Sequence, residues 1–466
     1  MAKSHILLFL VSALFILGVA YFIPKTDSVV IIGAVFGLLV GLLTFVRVEF
    51  GIFILVLSML LSPELKVAQV PGREVAIRVD DVLLMIVFLS WSAKMAIEKR
   101  VILFKKNPVN APFLVYVILS IIVTLKGVLV GNVNPIKSFF YVLKTVEYYL
   151  LFLMVSNIAE TEAGVKRYLT VGLVTLAIVV GYSYYLIATG QTVNAPFQSI
   201  IGAATQKLEP GSIGGYFVIC MAVLLGLVLN MKEGGTVVAA LLGLLILVPP
   251  LLNTFSRASY MAFAVMLVSA FLLTKKKRWF FGAALICAAL LIPAIMPGNV
   301  NSRILVTFQG QQIHTAAGIV NLDESSTARI IGYAGIITDV LPKHLLFGYG
   351  VTGVGFIDGQ YFSVLGELGV VGFVVFIWLL VSLFRLGYTT YRDGKTHFSK
   401  AVAFGLTISL IAVMTHAATA NTFLVVRIIE PFWFLAALVC VLRREADASG
   451  KKGAAETAPI PEGQVL

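Results

Sequence analysis

The sequence predicts an all-α polytopic membrane protein that crosses the bilayer about 12–14 times. Three observations carry this. Hydrophobic residues make up 59% of the 466 positions and charged residues only 12%, against about 45–50% and about 25% in soluble domains. The apolar residues fall in repeated runs of roughly 17–25, the length that spans a bilayer as a helix. Those runs lack the short alternating pattern of a β-barrel.

Taken in order, "MAKSHILLFLVSALFILGVAYFIPK" has a basic start and an apolar core of about 18 residues. That core is longer than a signal peptide's and no small-x-small site closes it, so it reads as a retained first helix near 6–23. Further spans follow near 28–46, 50–62, 80–97, 111–129, 138–157, 167–188, 213–230, 236–254, 258–274 and 279–296. The third is short enough to be tilted, re-entrant or merged. Residues 297–359 form a large loop between spans, and the last three spans lie near 360–384, 401–418 and 424–442. The chain thus divides into helices over 1–296, the loop over 297–359, helices over 360–442 and a small, polar tail over 443–466 that reads as disordered. No repeat of fixed period is present.

A net charge of +12 would suggest nucleic acid in a soluble protein. Here it reads as topology signal, and no nucleic-acid partner is expected. "EKRVILFKKN", "KKKR", "RLGYTTYRDGKTHFSK" and "RREADASGKK" fall on one side if the spans alternate. That side collects roughly 22 of the 35 Lys and Arg and is therefore the cytoplasm, with both termini inside. Cys220, Cys287 and Cys440 all lie in apolar runs and imply neither disulfide nor metal.

The external segments are then 63–79, 189–212 and the large loop. Loops of that last size are commonly functional. Its stretch "SSTARIIGYAGIITDVLPKHLLFGYG" has helical apolar spacing with Ser325 or Ser326 as N-cap, which predicts a partly helical external subdomain.

Charges outside the cytoplasmic loops are the candidates for function, since a charge within a span is costly and marks a site or a pair. Arg257, in "NTFSRASYMAF", sits at an external junction between hydroxyls Ser256 and Ser259. Its fork of donors suits phosphate oxygens, although an interfacial Arg that merely snorkels has the same sequence. Arg329 follows "DESST" and alone reads as a solvated charge. Arg427 with Glu430, and Lys144 with Glu147, are one helical turn apart and suit structural ion pairs. His416 and Asn421 stand at an external helix end, fit for substrate contact or for capping. Asp358 and Glu367 flank a helix start and suit its dipole, while Asp358 also suits a general base. Asp323, Glu324 and Asp358 offer oxygen ligands, but no metal cage is apparent. There is no P-loop, G-x-S-x-G, H-E-x-x-H or Cys/His cluster, and "GYGVTGVG" lacks the context of a nucleotide fingerprint.

In this order, "SRASY" at a span end, "SSTAR" and "LLFGYGVTG" in the long loop, then "DGQYFSVLGELGVVG", the chain resembles the O-antigen polymerase and O-antigen ligase superfamily of bacterial envelope glycan enzymes. The resemblance covers roughly residues 150–440. It implies a GT-C-like glycosyltransferase of the bacterial inner membrane with a periplasmic active site and no cofactor. Ligase-like members carry His at the position of Asp358 and Asn at that of Gly359, so the acid favours the polymerase branch. Ala258 replaces a family Gly. The family's Gly-x-Phe-x-Asn-Pro-Asn region is only loosely matched by "KLEPGSIGGY", and Lys207 is the base nearest to a missing upstream Arg.

Carried over, the resemblance makes Asp358, Arg257 and Arg329 the candidate catalytic set. Arg257 and Arg329 would bind the diphosphate, and Asp358 would orient or deprotonate the acceptor hydroxyl. Lys207, Ser256, Tyr361, Glu367, His416 and Arg427 form the candidate substrate-binding set, with Tyr361 and Glu367 supporting the helix start. The expected partners are an undecaprenyl-diphosphate-linked glycan donor, a lipid-linked glycan or lipid acceptor, membrane lipids and a chain-length regulator. The expected reaction is inverting, metal-independent polymerisation of repeat units for O-antigen or exopolysaccharide. Ligation to lipid A core is the alternative. Transport is a third reading, for which "LVPPLLN" would supply a broken helix.

Overall fold

The computed structural model describes residues 28–70, 73–99, 105–197, 209–274, 278–279, 281–282, 311–315 and 318–456. The expected span at 6–23, most of that at 279–296, and Lys207 lie outside the described residues. Among the described residues seven helices are long and apolar enough to cross a membrane, and the chain is a multi-pass α-helical membrane protein. These are α4 (Asn110–Leu129), α5 (Pro135–Ile158), α6 (Glu162–Ala188), α7 (Pro210–Asn230), α8 (Gly234–Leu252), α11 (Gln360–Asp393) and α12 (His397–Ala417). Around them stand α1 (Ser28–Val46), α2 (Val48–Leu61), α3 (Val79–Ile97), α9 (Arg257–Leu273) and α13 (Val426–Glu456). The short run expected at 50–62 is a separate helix, α2, which follows α1 after Arg47.

Burial sorts the helices. Helices α7 and α12 are mostly enclosed and pack against one another at the centre. Small residues permit this approach: a Cβ on Gly405 would come within 2.9 Å of the Val223 Cα. Helix α8 is peripheral, with Leu241, Leu242 and Leu245 exposed, as suits a lipid-facing surface. It runs through Pro249 and Pro250 and ends at Leu252, where the Asn253 side-chain amide donates to the Pro249 carbonyl at 2.9 Å. "LVPPLLN" is therefore a helix end and not a break within a span.

Three segments differ from expectation. Residues 63–79 were expected as a loop but hold an antiparallel hairpin, β1 (Glu64–Val70) with β2 (Arg73–Arg78). The tail expected from 443 continues α13 to Glu456, where Arg443 pairs with Asp447 one turn on (3.0 Å) and with Asp393 of α11 (2.8 Å). In the large loop, β3 (Gln311–Thr315) and β4 (Gly318–Leu322) form a second hairpin, followed by α10 (Glu324–Gly335) and a π-turn, Ile336–Val340. The N-cap of α10 is Asp323, whose Oδ1 accepts from the Ser326 amide at 3.3 Å, and not Ser325 or Ser326. Asp is as good a cap as Ser and adds a charge that the helix dipole favours.

The "LLFGYG" stretch is built into the bundle. Helix α11 breaks at Gly369 (φ 70°, ψ −170°), a backbone shape that glycine alone adopts without strain. Across that break the Val370 amide donates to the Leu345 carbonyl at 2.9 Å, and the Tyr349 and Gly350 amides donate to the Gly366 and Glu367 carbonyls at 3.1 and 2.8 Å. Next along the chain, the Val351 amide donates to Thr124 Oγ1 of α4 at 3.1 Å, and Ser138 Oγ of α5 donates to the Val351 carbonyl at 2.9 Å. The loop thereby satisfies polar backbone groups that the helix break would leave buried without partners.

Candidate functional site

The site forms where the start of α9, the end of α12, the start of α11 and the start of α10 meet. Arg257 opens α9, and the preceding Ser256 is its N-cap, accepting from the Ser259 amide at 3.3 Å. The cap points the guanidinium toward the loop, where Nη2 donates to Asp323 Oδ2 at 2.8 Å. The Arg257 hydrogen bond holds the Asp323 carboxyl down at about 2, well below the usual carboxylate range. Through its other oxygen Asp323 caps α10, so the two elements share one carboxylate.

Helix α10 carries Arg329 two turns further on. Its Nη1 donates to Ser325 Oγ at 2.9 Å and its Nη2 to Asp358 Oδ2 at 3.1 Å. The carbonyl of Asp358 is fixed separately: Tyr333 Oη donates to it at 2.6 Å and lies 2.9 Å from the Ala418 carbonyl. The Tyr333 ring stacks on Phe362 at 4.1 Å, and its partial burial pushes the phenol up from its ordinary value. Gly359 follows with φ 146°, and a Cβ there would come within 2.6 Å of the Tyr333 hydroxyl. That contact explains why glycine stands between the acid and the helix. Asn421 closes the turn by donating to the Ile357 carbonyl at 2.7 Å and accepting from the Gly359 amide at 3.3 Å.

Arg257–Asp323 and Arg329–Asp358 are therefore two ion pairs of one network, linked through α10, which Asp323 caps and which carries Arg329. The side chains of Arg257, Arg329 and Asp358 keep 23%, 24% and 38% exposure, so all three are partly open at the protein surface. Chemically the network holds two guanidinium forks, each now engaged by a carboxylate and each of a kind that suits an anion, with the Asp358 carboxylate partly exposed.

The other expected site residues lie behind this surface. Tyr361 turns inward, donating to the Met414 carbonyl at 2.7 Å. Glu367 is a clamp on the loop, accepting from the Thr352 amide at 2.8 Å. His416 is only 3% exposed and lies between Thr422 Oγ1 (2.7 Å) and Ser259 Oγ (3.4 Å). Ser259 in turn donates to Ser256 at 2.9 Å, so His416 supports the cap of Arg257 from below. Arg427 is buried at 4% exposure in the first turn of α13. Of the residues in contact with the network, Tyr333 has no role expected from the sequence, Asp323 is expected there only as an oxygen ligand, and Asn421, expected to contact substrate or to cap, closes the turn at Ile357 and Gly359. "NLDESSTAR" does hold Asp, a preferred N-cap residue, just before an acid in the first helical turn, and that is the signal for Asp323 in the sequence.

A second polar cluster lies inside the bundle. Asp80, Asp81 and Glu430 are all buried, with ligand atoms within 4.8 Å of one another. Basic groups face them: Arg78 Nη2 lies 2.9 Å from Asp80, and Lys144 Nζ pairs with Asp81 and, at 3.2 Å, with Glu147. The expected Lys144–Glu147 pair is present and forms part of this larger group. The cluster ties α3, α5 and α13 together and reads as structural. No protein-family model and no curated protein matches the chain.

Proposed function

We propose that this protein is a glycosyltransferase of the O-antigen polymerase and ligase type, which joins polyprenyl-diphosphate-linked oligosaccharides at the periplasmic face of a bacterial inner membrane. The observation that carries the reading is the single network holding two guanidinium forks and a half-exposed carboxylate at the end of a bundle of apolar helices. A lipid-diphosphate donor matches that layout. Its tail lies along the apolar helices, and its charged head meets Arg257 and Arg329. The distribution of Lys and Arg supports a site on the side away from the cytoplasm.

In the proposed reaction an acceptor hydroxyl forms a new bond to the anomeric carbon of the donor. The bond from that carbon to the diphosphate oxygen breaks, and its electron pair leaves with polyprenyl diphosphate. One displacement inverts the anomeric centre. The hydroxyl proton passes to the Asp358 carboxylate and then to water. Negative charge grows on the leaving oxygen, so fixed guanidinium donors stabilise the transition state more than the ground state. Arg329 orients Asp358 through the 3.1 Å contact, and Tyr333 holds its backbone. An acid in this place favours repeat-unit polymerisation over ligation.

The test is elongation of a defined lipid-linked repeat by purified protein, with and without Arg257→Ala. The expected result is a ladder on polyprenyl diphosphate from wild type. The variant is expected to make none while remaining in the membrane fraction. Full-length polymer from Arg257→Ala removes Arg257 from the mechanism.

A further inference from the structure

We propose that Asp323 is the internal occupant of the anion subsite at Arg257, and that it lowers the affinity of the subsite for every anion that must displace it, so that a diphosphate still binds where the singly charged phosphodiesters of the surrounding lipid do not. The part that concerns the donor rests on the function proposed above. The occupancy itself rests on geometry. Asp323 Oδ2 lies 2.8 Å from Arg257 Nη2, where a phosphate oxygen would otherwise accept. Carboxylate and phosphate oxygens both match the guanidinium fork.

Three features suit Asp323 to a displaceable role. First, the pair is accessible, with side-chain exposures of 23% for Arg257 and 14% for Asp323. Second, Asp323 keeps an anchor when Arg257 is taken from it, because Oδ1 accepts from the Ser326 amide and caps α10. The helix start need not unravel for the ion pair to open. Third, the carboxyl is held at about 2, so it stays ionised and competes at any working pH.

The consequence follows from charge. An Arg at a membrane surface is surrounded by phosphodiester headgroups, each carrying one negative charge. Against such a ligand an intramolecular carboxylate competes well, because it carries the same charge at a high effective concentration. A diphosphate brings at least two charges and several acceptor oxygens, more than the one fork of Arg257 takes up, leaving oxygens free for Arg329 of α10. It therefore displaces Asp323 where a phosphodiester does not. The internal competitor weakens both ligands by the same factor; the ratio is set by the attractive contacts, and the competitor raises the concentration a phosphodiester would need to occupy the site.

The substitution that isolates this role is Asp323→Asn. Asn is an equally good N-cap, so the bond to Ser326 is kept while the competing charge is removed. Asp323→Ser serves as a second variant, since Ser also caps. The experiment measures binding of inorganic pyrophosphate, and separately of glycerophosphoglycerol as a soluble phosphodiester, to the full chain in a neutral detergent. Wild type is expected to bind pyrophosphate and to discriminate strongly against the phosphodiester. In both variants pyrophosphate and the phosphodiester are each expected to bind about tenfold more tightly, by the same factor. Arg257→Ala is expected to abolish pyrophosphate binding.

Equal or weaker pyrophosphate binding in both capped variants overturns the proposal, as does tightening of one ligand without the other. Absence of pyrophosphate binding in wild type and variants alike also overturns it. The probes contain no glycan. A chain that binds pyrophosphate as described but elongates no lipid-linked repeat therefore refutes the transferase reading alone.

Discussion

Tyr333→Phe tests whether Asp358 acts from a fixed position. The substitution removes one oxygen. The ring keeps its stack on Phe362 at 4.1 Å, so the apolar contact is unchanged. The hydroxyl has one proton and two acceptors, the carbonyls of Asp358 at 2.6 Å and Ala418 at 2.9 Å. The loss is thus one hydrogen bond with a second carbonyl left weakly partnered. A net hydrogen bond contributes about 0.5–1.5 kcal/mol, and at this half-buried place water can hydrate the freed carbonyls, so the stability cost is about 1 kcal/mol. The effect on rate should be larger in proportion. The Asp358 side chain then depends on the Arg329 contact and on the turn closed by Asn421, and each ~1.4 kcal/mol of lost transition-state stabilisation is about tenfold in rate. Purified variant and wild type would be compared by thermal unfolding and by initial rate of elongation of a lipid-linked repeat. The expected outcome is a small fall in Tm with at least about a tenfold fall in rate. A small fall in Tm with an unchanged rate would refute the idea that the hydroxyl positions Asp358.

Further outcomes follow from other contacts. Asp358→Asn keeps the size of the side chain and an acceptor for Arg329 at 3.1 Å but removes the base, so elongation is expected to be severely reduced with protein level unchanged; near-normal elongation would demote Asp358 to a structural role. Lys144→Ala leaves Asp81 and Glu147, at 6% and 4% exposure, without their shared cation, and is expected to cost about 3–5 kcal/mol, read as loss of folded protein on extraction. Gly369→Ala places a side chain at φ 70° with its Cβ 2.8 Å from the Gly348 amide nitrogen; about 1–3 kcal/mol of backbone strain should lower accumulation and expose the loop to protease. The Asp323 carboxyl is depressed to about 2 in the folded chain, below the ordinary value of about 4. Its contribution to stability is therefore present in full above that ordinary value and is lost as pH falls through about 2. The Tm difference between wild type and Asp323→Asn should be constant over roughly pH 5 to 8 and shrink below about 4.

The order and bounds of most helices were legible in the sequence, because a bilayer-spanning helix is a local property of about 20 apolar residues. So were the residues worth watching, since a Lys, Arg, Asp or Glu near an apolar run is costly unless it has a purpose. Which of them meet was another matter. Arg257 and Arg329 are 72 positions apart in sequence, and Asp323 is expected from the sequence only as an oxygen ligand for a cation. Nothing local shows that its carboxylate caps one helix and engages the first residue of another. Tyr361, Glu367 and His416 carry the right chemistry at the right end of their helices, yet their side chains turn to Met414, Thr352, and Ser259 with Thr422. Helix rotation and packing, which hydropathy does not encode, made that choice. Likewise the sequence marked Lys144 and Glu147 as a pair one turn apart, while Asp80, Asp81 and Glu430 joined them only when α3 and α13 packed against α5. Local physical chemistry determined the spans and the kinds of side chain available at their ends. The tertiary structure decided which charges share a surface and which are spent on holding it, because hydrogen bonds and ion pairs act over about 3 Å, wherever in the sequence the partners lie.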